Sequence, residues 1–303
     1  MQQILSALWP VFALLMLGYL ARVFRFPGES FWQPAERATY YILFPALLVR
    51  RLSDASLSGD ESMALVLAVV LLLALGTLLC FLLRPLLKLQ PAAFTSFYQG
   101  GMRFNTFVAL AASAALYSDS GLALAAVIAA VMIPLLNLLC ILVFARYTAA
   151  SPSWSGVLKT LLTNPLILAC LLGLLINVTL GGLPVLVVPV FDLLGQMALP
   201  LGLLAVGAGL SLPALRHAGR AFAAASAIKL LAFPLLAWGL AQLLQLSAEA
   251  TGVFLLFAAV PTATSAYILA RQLQGDAPLM AAIITGQTLL SMLSMPLILH
   301  LLG

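Results

Sequence analysis

Residues 62–83 read SMALVLAVVLLLALGTLLCFLL, an apolar run without a charged side chain. A helix of this length is about 33 Å long, enough to cross the roughly 30 Å hydrocarbon core of a bilayer. The whole chain shares this character, since 64% of its 303 residues are hydrophobic and 8% are charged. Soluble domains carry about 25% charged residues. The sequence therefore predicts an all-α integral membrane protein.

Charged residues, prolines and glycines divide the chain into ten candidate spans, too long for barrel strands and without strand-like alternation. The predicted spans cover residues 4–21, 34–53, 62–83, 92–117, 121–145, 161–180, 185–212, 220–246, 250–271 and 278–302. We interpret the first as a span and not as a signal peptide, because Arg22 and Arg25 follow it and no basic residue precedes it.

Basic residues are distributed unequally between the two ends of these spans. Side two of the membrane, opposite the N-terminus, receives ten of the 14 Lys and Arg residues, and side one receives only Arg50 and Arg51. The other two, Arg103 and Lys229, lie within spans. Because Lys and Arg concentrate in cytoplasmic loops, we expect a multi-pass protein of the cell inner (cytoplasmic) membrane with both termini outside.

The two halves of the chain match at a fixed shift. Moving the sequence by 155 residues superimposes the pairs Pro10 and Pro165, Gly18 and Gly173, Pro34 and Pro189, and Pro45 and Pro200. Asp119 matches Asp276 at a shift of 157. We predict a first five-helix repeat over 1–148, a cytoplasmic linker over 149–160 and a second repeat over 161–303. Because each repeat has an odd number of spans, the second repeat crosses the membrane in the opposite orientation to the first, an arrangement typical of secondary transporters. A chance alignment of helix-kinking prolines is the alternative.

The fourth and ninth spans combine helix-breaking residues with polar ones. Residues 98–107 read YQGGMRFNTF and residues 257–267 read FAAVPTATSAY. Pro261 frees a backbone carbonyl, the pair Gly100 and Gly101 loosens its helix, and the helix N-terminus after each break favours an anion. A plain kink, with hydroxyls bonded to their own helix, is the alternative. The candidate substrate-binding residues are Asn105, Thr106, Arg103, Pro261, Thr262, Thr264, Ser265 and Gln287.

Further polar residues are candidates for a charge or coupling role, namely Lys229, Asn137 and Ser291. Intramembrane charges are functional candidates by default, although Arg103 and Lys229 lie close enough to helix ends to reach the cytoplasmic face. Asn137 can instead bond the carbonyls freed by Pro134, and Gln287 and Ser291 either line a cavity or bridge helices.

The acidic residues support an anion as the substrate. All nine lie in loops or within about two turns of a predicted helix end, and Asp192 is the one expected to reach inward. The predicted membrane core therefore carries positive charge only.

No constellation in the sequence predicts an enzyme or a cofactor. The three cysteines lie in apolar runs, the two histidines belong to no triad, and no phosphate-binding loop is present. A membrane sensor or an intramembrane enzyme is the least favoured class. The expected partners are a small organic anion and the lipid bilayer, without nucleic acid.

Several segments together resemble the auxin efflux carrier family, which includes plant auxin exporters and bacterial malonate or malate permeases and is related to the bile acid, arsenite and riboflavin transporters. The resembling segments are LFPALLVRRL (43–52), PLLN (134–137), NPLILACLLGLL (164–175), ALPLGLLAVGAGL (198–210) and PTATSAYILARQLQGD (261–276). The resemblance implies ten helices in two inverted repeats, broken and crossing fourth and ninth helices, and an elevator-like motion. It also implies substrate contact by Asn105 and, in the ninth helix, by Pro261 with Thr262. Unlike many family members, this chain has no proline in the fourth span.

The expected function is therefore secondary transport of small organic anions, such as mono- or dicarboxylates. The alternative is a sodium-coupled carrier of larger, bile-acid-like amphipathic anions, in which Gln287 and Ser291 supply oxygen ligands. The coupling ion, H⁺ or Na⁺, stays open. So does a homodimer, for which the small residues over 205–209 permit close helix packing.

Overall fold

The computed structural model describes residues 1–55, 59–148 and 163–303, and every regular element within them is helical. The predicted linker, 149–160, lies outside the described residues. The α-helices are α1 (Gln2–Val23), α2 (Glu29–Ala38), α3 (Phe44–Ser53), α4 (Gly59–Leu87), α5 (Pro91–Met102), α6 (Thr106–Tyr147), α7 (Pro165–Leu180), α8 (Val188–Ala208), α9 (Arg220–Ala227), α10 (Phe233–Leu243), α11 (Ala248–Ala259), α12 (Ser265–Gln272) and α13 (Ala277–Leu302). A π-helical turn, Thr39–Leu43, joins α2 to α3, another, Ile228–Ala232, joins α9 to α10, and a 3₁₀ helix, Leu212–His217, follows α8.

Six helices in the described part of the chain are long and apolar enough to cross a membrane. They coincide with the first, third, fifth, seventh, eighth and tenth predicted spans, as Gln2–Val23, Ser62–Leu87, Asp119–Tyr147, Val188–Ala208, Arg220–Leu243 and Ala277–Leu302. The other four predicted spans are helical too, but α7 is short, the fourth and ninth are interrupted, and the second contains a π turn. The protein is thus an all-α, multi-pass membrane protein, and the count of ten spans stays a prediction.

The predicted loop between the fourth and fifth spans is helical, so α6 continues through it. The chain nevertheless reverses there. A Cβ atom at Gly121 would lie 3.4 Å from the carbonyl oxygen of Ser113, eight residues earlier, whereas these positions lie about 12 Å apart along a straight helix. Tyr117 packs directly on Gly121, where a side chain would collide with it. A sharp turn without a loop therefore separates the two arms of α6.

The helices pack in two groups. The first contains α1, α2, α3, α7 and α8, in which α1 lies along α8 and α3 lies along α7. The second contains α4, α5, α6 and α9 to α13, with α11 packed against α6 and α5 against α9. The two groups meet chiefly where α6 contacts α1, α3, α7 and α8.

Close packing of α1 on α8 depends on glycine. A Cβ atom at Gly18 would overlap the Leu204 backbone, and one at Gly207 would overlap the Leu15 carbonyl. We expect Gly18→Ala to lower the thermal midpoint of the detergent-solubilised protein by separating the two helices, at about 1–3 kcal/mol. Gly239 in α10 has open space around it, so Gly239→Ala should be neutral or stabilising by up to about 1 kcal/mol. Equal midpoints for the two variants would contradict this account of the interface.

Candidate functional site

Two helix interruptions meet in the middle of the second group. The first separates α5 from α6 at residues 103–105, and the second separates α11 from α12 at residues 260–264. The Asn105 backbone N–H donates to the Pro261 carbonyl over 2.8 Å. The sequence predicted the first break at Gly100 and Gly101, but both glycines lie inside α5 and the helix ends at Met102.

Side chains predicted to bind substrate instead hold the two interruptions together. The Thr262 hydroxyl donates to the Gly100 carbonyl over 2.8 Å, and the Gln287 amide donates to the same carbonyl over 2.9 Å. The Gln287 side-chain oxygen accepts the Thr262 backbone N–H over 3.0 Å. All these groups are buried. Thr262 and Gln287 therefore satisfy backbone groups that the broken helices leave free.

Asn105 determines where α6 begins. Its side-chain oxygen accepts the backbone N–H groups of Phe107 at 3.1 Å and Val108 at 3.3 Å, the geometry of a helix N-cap. Its side-chain nitrogen is buried without a hydrogen-bond partner. A buried amide donor left unpaired is costly, although Asn105 itself lines neither of the cavities described below.

Lys229 does not extend to the membrane surface, which was one of the sequence-based alternatives. Its side chain is fully buried, and the ammonium donates to the Phe257 carbonyl over 3.2 Å and lies 5.0 Å from the centre of the Phe233 ring. In an unbroken helix the Phe257 carbonyl would accept from residue 261, which is Pro261 and has no N–H. Lys229 thus supplies the missing donor at the C-terminal end of α11, where a positive charge is favourable.

Arg103 lines a small cavity between the two interruptions, with a volume of about 70 Å³. We call this space the Arg103 cavity; its polar lining consists of Tyr40, Arg103, Thr106, Asn137 and Ser265. The Arg103 guanidinium donates to the Asn137 side-chain oxygen over 3.1 Å and to the Ser265 hydroxyl over 3.5 Å. The hydrogen bond that the structure gives the Asn137 side chain is thus to Arg103, and the predicted bond from its amide nitrogen to carbonyls freed by Pro134 stays a prediction.

The positive charge of Arg103 is not neutralised within the described residues. The ion pairs of that part of the chain involve only Arg50 and Arg51 among the arginines. Thr106 begins α6 and Ser265 begins α12, so two helix N-termini also border the Arg103 cavity. Helix N-termini and an unpaired guanidinium both attract anions. The cavity has the electrostatic character of a carboxylate-binding site.

A larger cavity adjoins the Arg103 cavity and has a volume of about 480 Å³. We call it the Glu36 cavity. The two share five lining residues, Tyr40, Thr106, Leu166, Ala263 and Ser265. Glu36 accepts a hydrogen bond from the Thr264 hydroxyl over 3.3 Å, and the exposed Arg37 lies beside it. The sequence predicted Asp192 as the inward-reaching acid. Asp192 pairs with Arg50 and lines a different cavity, whereas Glu36, which was not singled out, lines this one.

The predicted site residues thus fall into two sets. Arg103, Thr106, Asn137, Thr264 and Ser265 line the cavities, whereas Asn105, Pro261, Thr262, Gln287 and Lys229 build the crossing and line neither cavity. Ser291 donates to the Thr288 carbonyl of its own helix, a contact that neither of its predicted alternatives, lining a cavity or bridging helices, describes. Sequence reasoning missed Tyr40, whose hydroxyl accepts from the Asn164 amide over 3.2 Å. Tyr40 follows Glu36 by four residues, so the two lie on the same helix face, and this spacing could have indicated that they line one cavity.

Comparison with known proteins agrees with a transport function. Residues 154–299 match the family model described as membrane transport protein. A protein of Methanothermobacter thermautotrophicus described as an uncharacterized transporter is 28% identical over 295 residues, which cover 95% of this chain and 94% of the relative. The matched segment and the full-length similarity, together with the helical membrane fold, show that the chain is similar to membrane transport proteins and support its resemblance to the auxin efflux carriers.

Proposed function

We propose that this transporter is a secondary carrier of small organic anions, such as mono- or dicarboxylates, in the cytoplasmic membrane. Its ten spans form two inverted repeats, and alternating access follows an elevator-like motion of the second helix group against the first. The substrate carboxylate lies against Arg103 and the N-termini of α6 and α12. Both chain termini are outside, so the Glu36 cavity opens to the cytoplasm.

One observation carries this proposal. The Arg103 guanidinium faces a cavity at the crossing of two broken helices and has no carboxylate partner among the described residues. An unpaired charge inside a membrane protein is costly unless a ligand or water solvates it. A small carboxylate supplies the missing negative charge and can accept two hydrogen bonds from the guanidinium.

Two contacts related by the sequence shift support the inverted repeat. Gly18 packs on the Leu204 backbone, and Gly173 packs on the Val49 backbone, where a Cβ atom would lie 3.2 Å from the Val49 Cα. Adding 155 to 18 and to 49 gives 173 and 204, so each contact is the counterpart of the other. Two copies related by a two-fold axis produce such reciprocal pairs.

The helix interruptions support the same relation. The carbonyls of Gly100 and Phe257 are separated by 157 residues, the shift that superimposes Asp119 on Asp276. Each belongs to the last turn of a broken helix and accepts a hydrogen bond from a side chain of another segment. The donors differ, however, since Thr262 and Gln287 are neutral and Lys229 is basic.

The experiment is a thermal-stability screen of the purified full-length protein against acetate, lactate, malonate, malate and succinate. A ligand that binds the folded state raises the free energy of unfolding by RT ln(1 + [L]/Kd), and the melting midpoint rises with it. We expect at least one acid to raise the midpoint in a saturable manner and its amide analogue to leave it unchanged. No shift with any acid, in a preparation that unfolds cooperatively, would refute the proposal.

The same screen separates the two coupling alternatives. Each acid is tested with sodium chloride and with choline chloride at equal ionic strength, and at two pH values. A sodium-coupled carrier of amphipathic anions should respond to a bile acid such as cholate, and only when sodium is present. A sodium-independent response to small acids, stronger at one of the two pH values, supports proton coupling.

A further inference from the structure

A second charged cavity lies at the other end of the helical stretch that lines the Glu36 cavity. We call it the Arg50 cavity; it has a volume of about 310 Å³, and Arg50, Arg51, Asp192 and Gln196 form its polar lining. The chain is helical without a break from Glu29 to Ser53. Glu36 and Arg50 are therefore about 21 Å apart along one axis. The two cavities therefore lie toward opposite ends of this helical stretch.

The two cavities occupy corresponding positions in the two halves of the chain. From α2 and α3 with their π turn, six residues line the Glu36 cavity, namely Gln33, Glu36, Arg37, Tyr40, Tyr41 and Phe44. From α8, six residues line the Arg50 cavity, namely Phe191, Asp192, Gly195, Gln196, Leu199 and Pro200. Five members of the second set are 155 residues beyond a member of the first, and only Gln33 and Pro200 lack a counterpart. The 155-residue shift was derived from prolines and one glycine pair, without reference to these cavities. On a helix with 3.6 residues per turn, two helices present the corresponding face to a cavity by chance about once in four.

Aromatic packing separates the two cavities. Phe44 lines the Glu36 cavity and Leu47, one turn later, lines the Arg50 cavity. The Phe44 ring meets the Phe107 ring edge-on, with centroids 4.8 Å apart, and Phe44 is almost fully buried. This pair joins α3 of the first group to α6 of the second, so relative movement of the groups would open the barrier.

The arginines of the Arg50 cavity are neutralised, in contrast to Arg103. Arg50 pairs with Asp54 of its own helix and with Asp192 of α8, the latter at 2.8 Å. Arg51 pairs with Asp119 at 2.6 Å, and its Nε atom is buried without a partner. Carboxylates of the protein thus pair with both arginines of this cavity, and of these carboxylates only Asp192 is itself a lining residue.

We propose that the Arg50 cavity is the second binding cavity for the same class of small carboxylate, reached from the opposite face of the membrane, and that Asp119 holds Arg51 in place of the substrate while this cavity is closed. This inference rests on the proposed function. Substrate enters by one cavity and leaves by its counterpart. Arg51 binds the carboxylate once Asp119 has moved away.

Asp119 belongs to the helix group that moves against Arg51. It lies at the reversal of α6, where Ser120 donates to Glu249 near the start of α11 and the Tyr117 hydroxyl packs on Gly252. Arg50 and Asp192 instead join α3 to α8 inside the first group. The Arg51–Asp119 pair therefore crosses the boundary between the groups, and the Arg50–Asp192 pair does not.

Asp119→Asn tests this assignment, with Asp54→Asn as the matched control. Both side chains are substantially exposed, at 75% and 48%, and both pair with neighbouring arginines. Only Asp119 connects the two groups. Ala114→Cys reports on the Arg50 cavity and Ile268→Cys on the Glu36 cavity, and the native Cys80, Cys140 and Cys170 are buried. The readout is the labelling rate of each reporter by a membrane-impermeant maleimide in liposomes and in detergent.

We expect Asp119→Asn to raise the labelling rate at position 114 several-fold and to lower it at position 268, whereas Asp54→Asn changes neither. Unchanged labelling at both positions overturns the proposal, because it shows that the Asp119 pair does not hold the Arg50 cavity closed. A rise at both positions also overturns it, because it indicates local loosening and not exchange between two open states. Labelling needs no ligand. Its outcome is therefore independent of the carboxylate screen, whose failure would refute the proposed function alone.

The binding role of Arg51 has its own readout. In the Asp119→Asn background, malonate at saturating concentration should slow labelling at position 114, and Arg51→Gln should abolish that protection. Loss of protection by Arg51→Gln, with the labelling rate without malonate still high, supports carboxylate binding by Arg51. Protection that persists in Arg51→Gln, or that never occurs, overturns it.

Discussion

Replacing Arg103 by glutamine should weaken carboxylate binding by about 10- to 100-fold and reduce transport to a similar degree. A charge-assisted hydrogen bond contributes about 1.5–3 kcal/mol, and each 1.4 kcal/mol is a factor of about ten in the dissociation constant. Glutamine retains a donor for the Asn137 side chain, so the cavity wall is preserved. The measurements are the ligand dependence of the melting midpoint and the uptake of the same labelled acid into proteoliposomes.

Arg146→Gln is the matched control for this variant. Arg146 lies in the last turn of the same helix, α6, and lines neither cavity at the crossing. The Arg146→Gln substitution removes one positive charge, as Arg103→Gln does, but leaves the residues of both cavities unchanged. A neutral amide analogue of the best acid gives a second comparison, because its weak binding should be equally weak in wild type and in Arg103→Gln. Equal losses for the acid and the amide would make Arg103 a structural residue.

The positions of the helices were predictable because apolar runs of about 20 residues have few alternatives in a bilayer. The reversal of α6 was not predictable in this way. A loop was expected at residues 118–120, but the chain turns by packing Tyr117 onto Gly121. Side-chain contacts of this kind leave no signal in hydropathy, which reports only where polar residues interrupt an apolar run.

The helix interruptions at the candidate site were predictable in location, and the contacts of their polar side chains were less so. Pro261 marked the second interruption because proline removes a backbone donor. Thr262 and Gln287 were assigned to the substrate, yet they bond the Gly100 carbonyl. Which polar residue serves the backbone and which serves the cavity depends on the distance between two helices far apart in sequence. Composition and spacing do not contain that distance.

The basic side chains differ from one another in the groups that they bond. Lys229 is fully buried, and its ammonium serves the carbonyl that Pro261 leaves free. Arg50 and Arg51 are neutralised by carboxylates of the protein. Arg103 differs because its hydrogen-bond partners in the described residues are neutral. A carrier that releases its substrate needs such a group, since a permanently paired guanidinium would exclude the anion.

Asn105→Ala should abolish transport of the acid that stabilises the wild-type protein, for two separable reasons. The substitution removes the N-cap of α6, which costs about 1 kcal/mol. It also removes the buried side-chain nitrogen that has no partner in the protein. Asn105→Ser distinguishes these effects, because a serine oxygen caps a helix N-terminus about as well as asparagine does but carries no amide donor.

The expected outcome is that Asn105→Ser regains the wild-type melting midpoint without ligand, while both variants lose uptake and ligand-induced stabilisation. That pattern would mean that the free nitrogen of Asn105 donates to the substrate beside Arg103. Uptake restored by serine would instead limit Asn105 to positioning the N-terminus of α6. Undiminished uptake of every carboxylate by Asn105→Ala would remove the residue, and with it this crossing, from the transport site. The cap and the donor share one side chain, so only a substitution that keeps one and deletes the other can tell how the broken helix contributes to binding.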